Sequence, residues 1–136
     1  MHLIIDAHAK NVGLMIDREQ MKEWLFQVAK MAGMSVFAEP FIYGFPWPGS
    51  GDYSAITAFC PLMESGLVVH CWPEKEFVFI DLFTCGEMER ETEERVVDHI
   101  VGTFQMIDPK IIPLERGIDS RTGEVVPARL RQPRFE

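Results

Sequence analysis

Three β-forming runs follow one another between residues 54 and 84, and the breaks between them are too short to hold a helix. The runs are "SAITAFCPL" (54–62), "SGLVVHCW" (65–72) and "EFVFIDLFT" (76–84), interrupted at Pro61 and at Pro73-Glu74-Lys75. Because such short connections join strands only as antiparallel neighbours, the middle of the chain predicts a meander.

Two segments show the periodicity of amphipathic helices. The first follows Asp17 and has an apolar stripe made of Met21, Trp24, Leu25, Val28, Ala29 and Ala32. Asp17 with Gln20 forms an N-terminal capping pattern, and Gly33 is a predicted stop. The second helix opens with the acidic "EMERETEER" (87–95), and its apolar face comprises Val96, Val97, Ile100, Val101 and Phe104.

The remaining segments complete an alternating order. His2–His8, "SVFAEPFIY" (35–43) and "PKIIPLE" (109–115) are predicted strands, and the Gly/Pro-rich "GFPWPGSGDY" (44–53) is a predicted loop. The order β-α-β-β-β-β-α-β predicts an α+β two-layer sandwich, with an antiparallel sheet and both helices on one face. We assign residues 1–116 to a single domain and the Pro/Arg-rich residues 117–136 to an extended C-terminal tail.

Composition excludes several classes of protein. The 136 residues fit one domain, and the net charge of −8 argues against a nucleic-acid partner, which would need clustered Lys and Arg. An acidic protein could instead favour a cationic small substrate. The amino terminus lacks the pattern of a signal peptide and no stretch is apolar enough to span a membrane, so we expect a cytoplasmic location. The three cysteines are odd in number and lack a C-x-x-C pair, which predicts free thiols rather than disulfides.

Hairpin geometry relates four polar residues of the meander. If the second hairpin turns near residue 75, partners sum to about 150 and Ser65 lies opposite Cys85; in the first hairpin they sum to about 127 and Thr57 lies opposite His70. Ser65 and His70 are roughly 16 Å apart along one strand, and their odd spacing points them to opposite faces. If both serve one site, His70 and Thr57 must come from a second copy, which predicts a homodimer with shared sites.

Four motifs in this order resemble the prokaryotic S-adenosylmethionine decarboxylases, which are pyruvoyl-dependent enzymes of polyamine and spermidine biosynthesis. They are "HLIID", "ESGLVVHCWPE", "FIDLFTCGE" and "PLERG", and they extend over nearly the whole chain. The Glu-Ser step followed by His-x-Trp-Pro-Glu and Asp-Leu-Phe-Thr-Cys-Gly is a specific signal.

The resemblance implies a proenzyme that cuts itself between Glu64 and Ser65. In the family, the serine hydroxyl attacks the preceding carbonyl, the ester undergoes β-elimination, and hydrolysis leaves a pyruvoyl group on the larger chain. His70 would be the processing base, and Thr57 stands where the family has a serine that assists processing.

The resemblance also implies roles in turnover. The pyruvoyl carbonyl would form a Schiff base with the substrate amine, and Cys85 would return a proton to the α-carbon as general acid. Glu74 matches a carboxylate that contacts the substrate ribose, although a charged residue in a Pro-Glu-Lys turn is often only solvated. Phe45 matches an aromatic that stacks on adenine, although it could simply anchor its loop.

The chain departs from the family pattern at several positions. Gly66 replaces the usual His after the scissile serine, Cys71 replaces Thr, Thr57 replaces Ser, and the loop 45–53 is longer. These differences leave open a decarboxylase of a basic amino acid, ornithine or arginine, and a non-processing relative without catalytic activity. Cys60 and Cys71 are predicted core residues, and a zinc site that combines them with His70 and Cys85 fits no ligand spacing.

Overall fold

The computed structural model describes residues 1–46 and 54–131. The strands are β1 (His2–Ala9), β2 (Phe41–Pro46), β3 (Ser54–Leu62), β4 (Ser65–Trp72), β5 (Phe77–Phe83), β6 (Met106–Ile118) and β7 (Val125–Leu130). The helices are α1 (Val12–Ile16), α2 (Arg18–Met31) and α3 (Arg90–Phe104), and a single 3-10 turn spans Pro73–Lys75.

The strands form one antiparallel sheet in the order β2-β3-β4-β5-β1-β6-β7. Alternate strand residues are buried, so the sheet has one face in the core. Residues of α2 and α3 complete that core, where Trp24 and Phe104 meet edge to face with ring centroids 4.9 Å apart. The predicted α+β sandwich with helices on one sheet face is therefore confirmed.

Local capping chemistry explains where α2 begins and ends. The Asp17 carboxylate accepts a hydrogen bond from the Gln20 N–H at 3.0 Å, which satisfies one of the free donors of the first turn. At the other end, Gly33 has φ of +69°, a conformation that glycine adopts without steric cost. α1 is not predicted by the sequence pattern; it begins after Asn11, whose side chain accepts a hydrogen bond from the Leu14 N–H.

Two strand boundaries were predicted wrongly. Of the predicted strand 35–43, only residues 41–43 belong to β2, and residues 35–40 form no strand beyond an isolated bridge at Val36. β2 also extends into residues 44–46 of the predicted loop. Residues 47–53 of that loop lie outside the described residues. β3 includes Pro61, which has no N–H to donate. The sheet tolerates this proline because the β2–β3 ladder ends at Phe59, so no residue of β2 needs a hydrogen bond from position 61.

The tail contains a strand that its composition did not predict. β6 is longer than expected and pairs with β7. In the turn that connects them, the Asp119 carboxylate accepts hydrogen bonds from the N–H groups of Arg121 and Thr122. Beyond β7, Arg131 forms a buried ion pair with Glu93 of α3. The division into residues 1–116 and a tail stays a prediction, although the segment 125–130 is hydrogen-bonded to the sheet.

The sheet face opposite the helices, here called the open face, carries a band of aromatic side chains. Its members are Phe41, Tyr43, Phe45, Phe59, Trp72, Phe77, Phe79 and Phe83. Several are strongly exposed, including Phe41 at 58%. None of the helices in the described part of the chain has the length and apolar character needed to cross a membrane.

Candidate functional site

Ser65 opens β4 at the tip of a two-residue turn. Leu62 and Ser65 form the last pair of the β3–β4 ladder, so Met63 and Glu64 make the turn. Glu64 has φ of +58°, in the left-handed region that costs a residue with a Cβ about 1–3 kcal/mol. The peptide bond between Glu64 and Ser65 therefore follows a strained residue.

Cys85 lies beside this turn, although not directly opposite Ser65 as predicted. The β4–β5 ladder pairs Gly66 with Phe83, which shifts the register by one residue from the predicted pairing. The reason is the connection, in which Pro73 begins a 3-10 turn and Glu76 closes it in a left-handed conformation. Cys85 follows β5 and still comes close to the turn, with its Sγ 3.4 Å from Glu64 Oε2.

A cavity of about 310 Å³ on the helix side of the sheet is lined by both Ser65 and Cys85. Its wall includes the segment after α2 and the segment after β5, and its lining residues are Ala32–Ser35, Met63, Ser65 and Thr84–Met88. Met34 and Ser35 were not predicted to belong to the site. Gly33 was the available signal, because the helix stop turns this segment toward Met63, whose N–H donates to the Ser35 carbonyl at 2.9 Å.

The backbone around Cys85 is fixed from the end of β6. The Ile118 N–H donates to the Cys85 carbonyl at 2.7 Å, and a Cβ at Gly117 would lie 2.1 Å from that same carbonyl oxygen. Gly117 also has φ of +123°, so only glycine fits here without strain. The glycine of "PLERG" therefore places the backbone that carries the Cys85 thiol.

The three cysteines have different environments. Burial raises the pKa of Cys60 to about 11 and that of Cys71 to about 12, and both lie in the core as predicted. Cys85 is exposed, and its pKa is raised by partial burial and then by the hydrogen bond to Glu64 and the charge of that carboxylate. Each of these thiols is therefore protonated near neutral pH.

Thr57 and His70 pair across β3 and β4, which confirms the predicted register. Thr57 Oγ1 and His70 Nδ1 are 3.2 Å apart, a hydrogen bond whose direction depends on the tautomer of the ring. Both side chains lie on the open face, and the His70 ring is 6.3 Å from that of Trp72. Ser65 has the opposite parity in β4 and lines the helix-side cavity, so one chain does not bring Ser65 and His70 together.

The predicted substrate-binding residues lie away from the cavity. Glu74 is exposed in the 3-10 turn, and Phe45 is 51% exposed on the open face. Neither lines the cavity of Ser65 and Cys85. Because Phe45 pairs with Ala55 two positions from Thr57, it shares the open face with Thr57 and His70.

Two phenyl rings fill the space beside Gly66, the residue after Ser65. A Cβ at this position would lie 2.7 Å from Phe83 Cε1 and 3.1 Å from Phe59 Cε2. A side chain here would have to displace one of the rings. The glycine at this position thus leaves room for aromatic residues on both neighbouring strands.

Comparison with known proteins agrees with these motifs. The family model for S-adenosylmethionine decarboxylase matches residues 1–117. An S-adenosylmethionine decarboxylase proenzyme from Thermodesulfovibrio yellowstonii is 30% identical over 129 residues, which cover 95% of this chain and 89% of that protein. A proenzyme of the same description from Pyrococcus furiosus is 31% identical over 118 residues, covering 87% of this chain and 78% of that one.

Two further comparisons concern substrate and fold. An arginine decarboxylase proenzyme from Caldivirga maquilingensis is 27% identical over 109 residues, covering 80% of this chain and 75% of the relative. The crystal structure of the adenosylmethionine decarboxylase from Aquifex aeolicus superposes with a TM-score of 0.67 at 23% identity, covering 86% of this chain and 89% of that one. The latter likeness supports the fold.

Proposed function

The chain belongs to the S-adenosylmethionine decarboxylase family, and from this premise we propose that it is a self-cleaving, pyruvoyl-dependent decarboxylase of S-adenosylmethionine. The observation that carries the proposal is the meeting of a strained Glu64–Ser65 turn and the Cys85 thiol at one cavity. The proposed cellular role is spermidine biosynthesis in the cytoplasm.

Self-cleavage would begin at the turn. The Ser65 hydroxyl attacks the Glu64 carbonyl and the peptide C–N bond breaks, which replaces the amide by an ester to the Ser65 oxygen. Loss of the Ser65 α-proton to a base then expels the Glu64 carboxylate, and hydrolysis of the resulting dehydroalanine releases ammonia and leaves a pyruvoyl group. The left-handed φ of Glu64 favours this sequence because breaking the bond releases the strain.

The residues around Ser65 fit a pyruvoyl group. Residue 65 becomes the new chain end and already lines the cavity of about 310 Å³ with Cys85. When formed, the group supplies a carbonyl that accepts the electron pair released as carbon dioxide leaves. Cys85 suits the role of proton donor, because partial burial raises the pKa of its thiol, which is therefore protonated at neutral pH.

A second copy of the chain would supply the processing base. His70 and Thr57 are hydrogen-bonded on the open face, whereas Ser65 lines the helix-side cavity. The open face carries exposed aromatic side chains such as Phe41 and Phe59, a surface that a packed partner would remove from water. Phe45 lies on the same face as His70 and Thr57, so a partner chain that contacts this face would contact all three residues.

The first expected result concerns processing and substrate. Purified protein should give two fragments on a denaturing gel rather than one band at 15.6 kDa. It should release labelled carbon dioxide from carboxyl-labelled S-adenosylmethionine faster than from ornithine or arginine, because the compared S-adenosylmethionine relatives are the more similar ones.

The outcomes separate the alternatives. A single band without carbon dioxide release would identify a non-processing relative. If the protein gives two bands but releases carbon dioxide from arginine or ornithine more than tenfold faster than from S-adenosylmethionine, the proposed substrate is wrong and the proposed pyruvoyl mechanism is retained. The acidic character of the chain fits either substrate, since each carries positive charge.

The second expected result concerns sharing of the site between protomers. Cys85→Ala and His70→Ala chains are co-expressed so that the His70 variant is cut. The decarboxylase activity of the mixture should be well above that of either variant alone. A mixed dimer would contain one complete site with Ser65 and Cys85 from one chain and His70 and Thr57 from the other. Activity no higher than that of the separate variants would contradict the sharing of the site between protomers.

A further inference from the structure

The Glu64 carboxylate contacts the Cys85 thiol from the residue immediately before the proposed cut. Glu64 Oε2 lies 3.4 Å from Cys85 Sγ, within hydrogen-bond distance for sulfur. The two residues belong to different hairpins, and in the uncut chain the Met63–Glu64 turn places the carboxylate at this point.

We propose that Glu64 is a positioning residue that keeps the Cys85 thiol protonated and poorly reactive before processing, and that cutting the Glu64–Ser65 bond removes this restraint. The proposal rests on the self-cleavage proposed above. It gives Glu64 a role through its side chain, in addition to its place at the scissile bond. Cys85 would then release its proton more readily only in a chain that carries the pyruvoyl group.

The geometry of the turn explains why the cut would release the carboxylate. Glu64 adopts its left-handed φ because two residues must close the hairpin from Leu62 to Ser65. After the cut, Met63 and Glu64 form a chain end attached on one side only, and unpaired chain ends are poorly ordered. The backbone is then free to leave the left-handed conformation that directs Glu64 toward Cys85.

Other charged groups near Cys85 do not make the same contact. Glu87 lines the shared cavity, Arg116 lines a groove on the β6 side, and the amino group of Met1 lowers the Cys85 pKa. Among the side chains of residues 1–46 and 54–131, only that of Glu64 forms a hydrogen bond with the thiol. Partial burial raises the Cys85 pKa most, and the hydrogen bond and charge of Glu64 raise it further, so loss of Glu64 should lower the pKa and leave the effect of burial in place.

Thiol alkylation tests the restraint in the uncut chain. Iodoacetamide is applied between pH 7 and 9.5 to Ser65→Ala protein, with and without Glu64→Gln, and modification of each cysteine is followed by peptide mass spectrometry. Glu64→Gln should raise the rate constant at Cys85 roughly 3- to 10-fold at pH 8, since the rate follows the thiolate fraction. Cys60 and Cys71 serve as internal controls, because they are buried with pKa values of about 11 and 12.

A matched control variant is Glu87→Gln, which removes a carboxylate from the same cavity wall without touching the thiol contact. It should change the Cys85 rate less than about twofold. Equal rates in the Glu64→Gln variant and its parent, or an equal effect of both substitutions, would overturn the proposed restraint. Faster modification of Cys60 and Cys71 in the Glu64→Gln variant would assign the effect to general opening and would also overturn it.

The second arm tests release by the cut. Wild-type protein that has been processed should react at Cys85 faster than the uncut Ser65→Ala chain, by a factor similar to that of Glu64→Gln. If processed protein reacts at Cys85 no faster than the uncut chain, the proposed release of Cys85 from Glu64 is wrong. If wild-type protein never processes, the self-cleavage proposal fails and release fails with it, while the first arm still decides whether Glu64 restrains the thiol.

Discussion

Replacing Ser65 with alanine is expected to leave one folded chain of 15.6 kDa with no decarboxylase activity. Alanine has no hydroxyl to attack the Glu64 carbonyl, so neither the ester nor the pyruvoyl group can form. The turn itself should persist, because Met63 and Glu64 make it and the ladder partner of residue 65 is Leu62. A denaturing gel and intact-mass measurement detect the loss of cleavage, which should be complete.

The chain offers a matched control in Ser35, a second hydroxyl residue in the wall of the same cavity. Ser35→Ala leaves the backbone carbonyl that accepts the Met63 N–H, and it should be cut as efficiently as the wild type. Cleavage of Ser65→Ala at the 64–65 bond would contradict the proposed nucleophile. Failure of both variants to cut would instead indicate that the cavity wall, and not the Ser65 hydroxyl, controls processing.

The sequence predicted the features that depend on local chemistry. Asp17 and Gly33 mark the two ends of α2, because a carboxylate cap and a left-handed glycine each act within one helical turn. The Thr57–His70 register followed from a short turn with little freedom. The predicted position of Cys85 was wrong by one residue, because a 3-10 turn that begins at Pro73 changes the length of the connection between β4 and β5.

Other features depend on contacts between distant parts of the chain. β7 has no alternation of buried and exposed side chains, and its stability comes from pairing with β6 and from the buried pair of Arg131 with Glu93. The contact of Glu64 with Cys85 joins the ends of two hairpins, which no pattern within one strand reveals. The sharing of the site between two chains stays a prediction, since it concerns a second molecule.

Replacing Gly117 with alanine is expected to damage both stability and turnover. The new Cβ would lie 2.1 Å from the Cys85 carbonyl oxygen, so the backbone of β6 or of Cys85 must move, and the φ of +123° adds strain for any residue with a Cβ. We expect the free energy of unfolding to fall by about 3 kcal/mol. Turnover should fall roughly 10- to 100-fold, because a small displacement of a reacting group has large kinetic effects.

Gly123→Ala is the control that separates this contact from the conformational cost alone. Gly123 also has a positive φ, +72°, but a Cβ there meets nothing within 4 Å, and the residue lies in the turn before β7. It should cost about 1 kcal/mol and leave turnover unchanged. Stability is measured by urea unfolding in the uncut Ser65→Ala chain, and turnover by carbon dioxide release from processed protein without that substitution. Both substitutions strain the backbone, but only a side chain at residue 117 would contact Cys85. Equal effects of the two substitutions on turnover would therefore show that the end of β6 does not position Cys85.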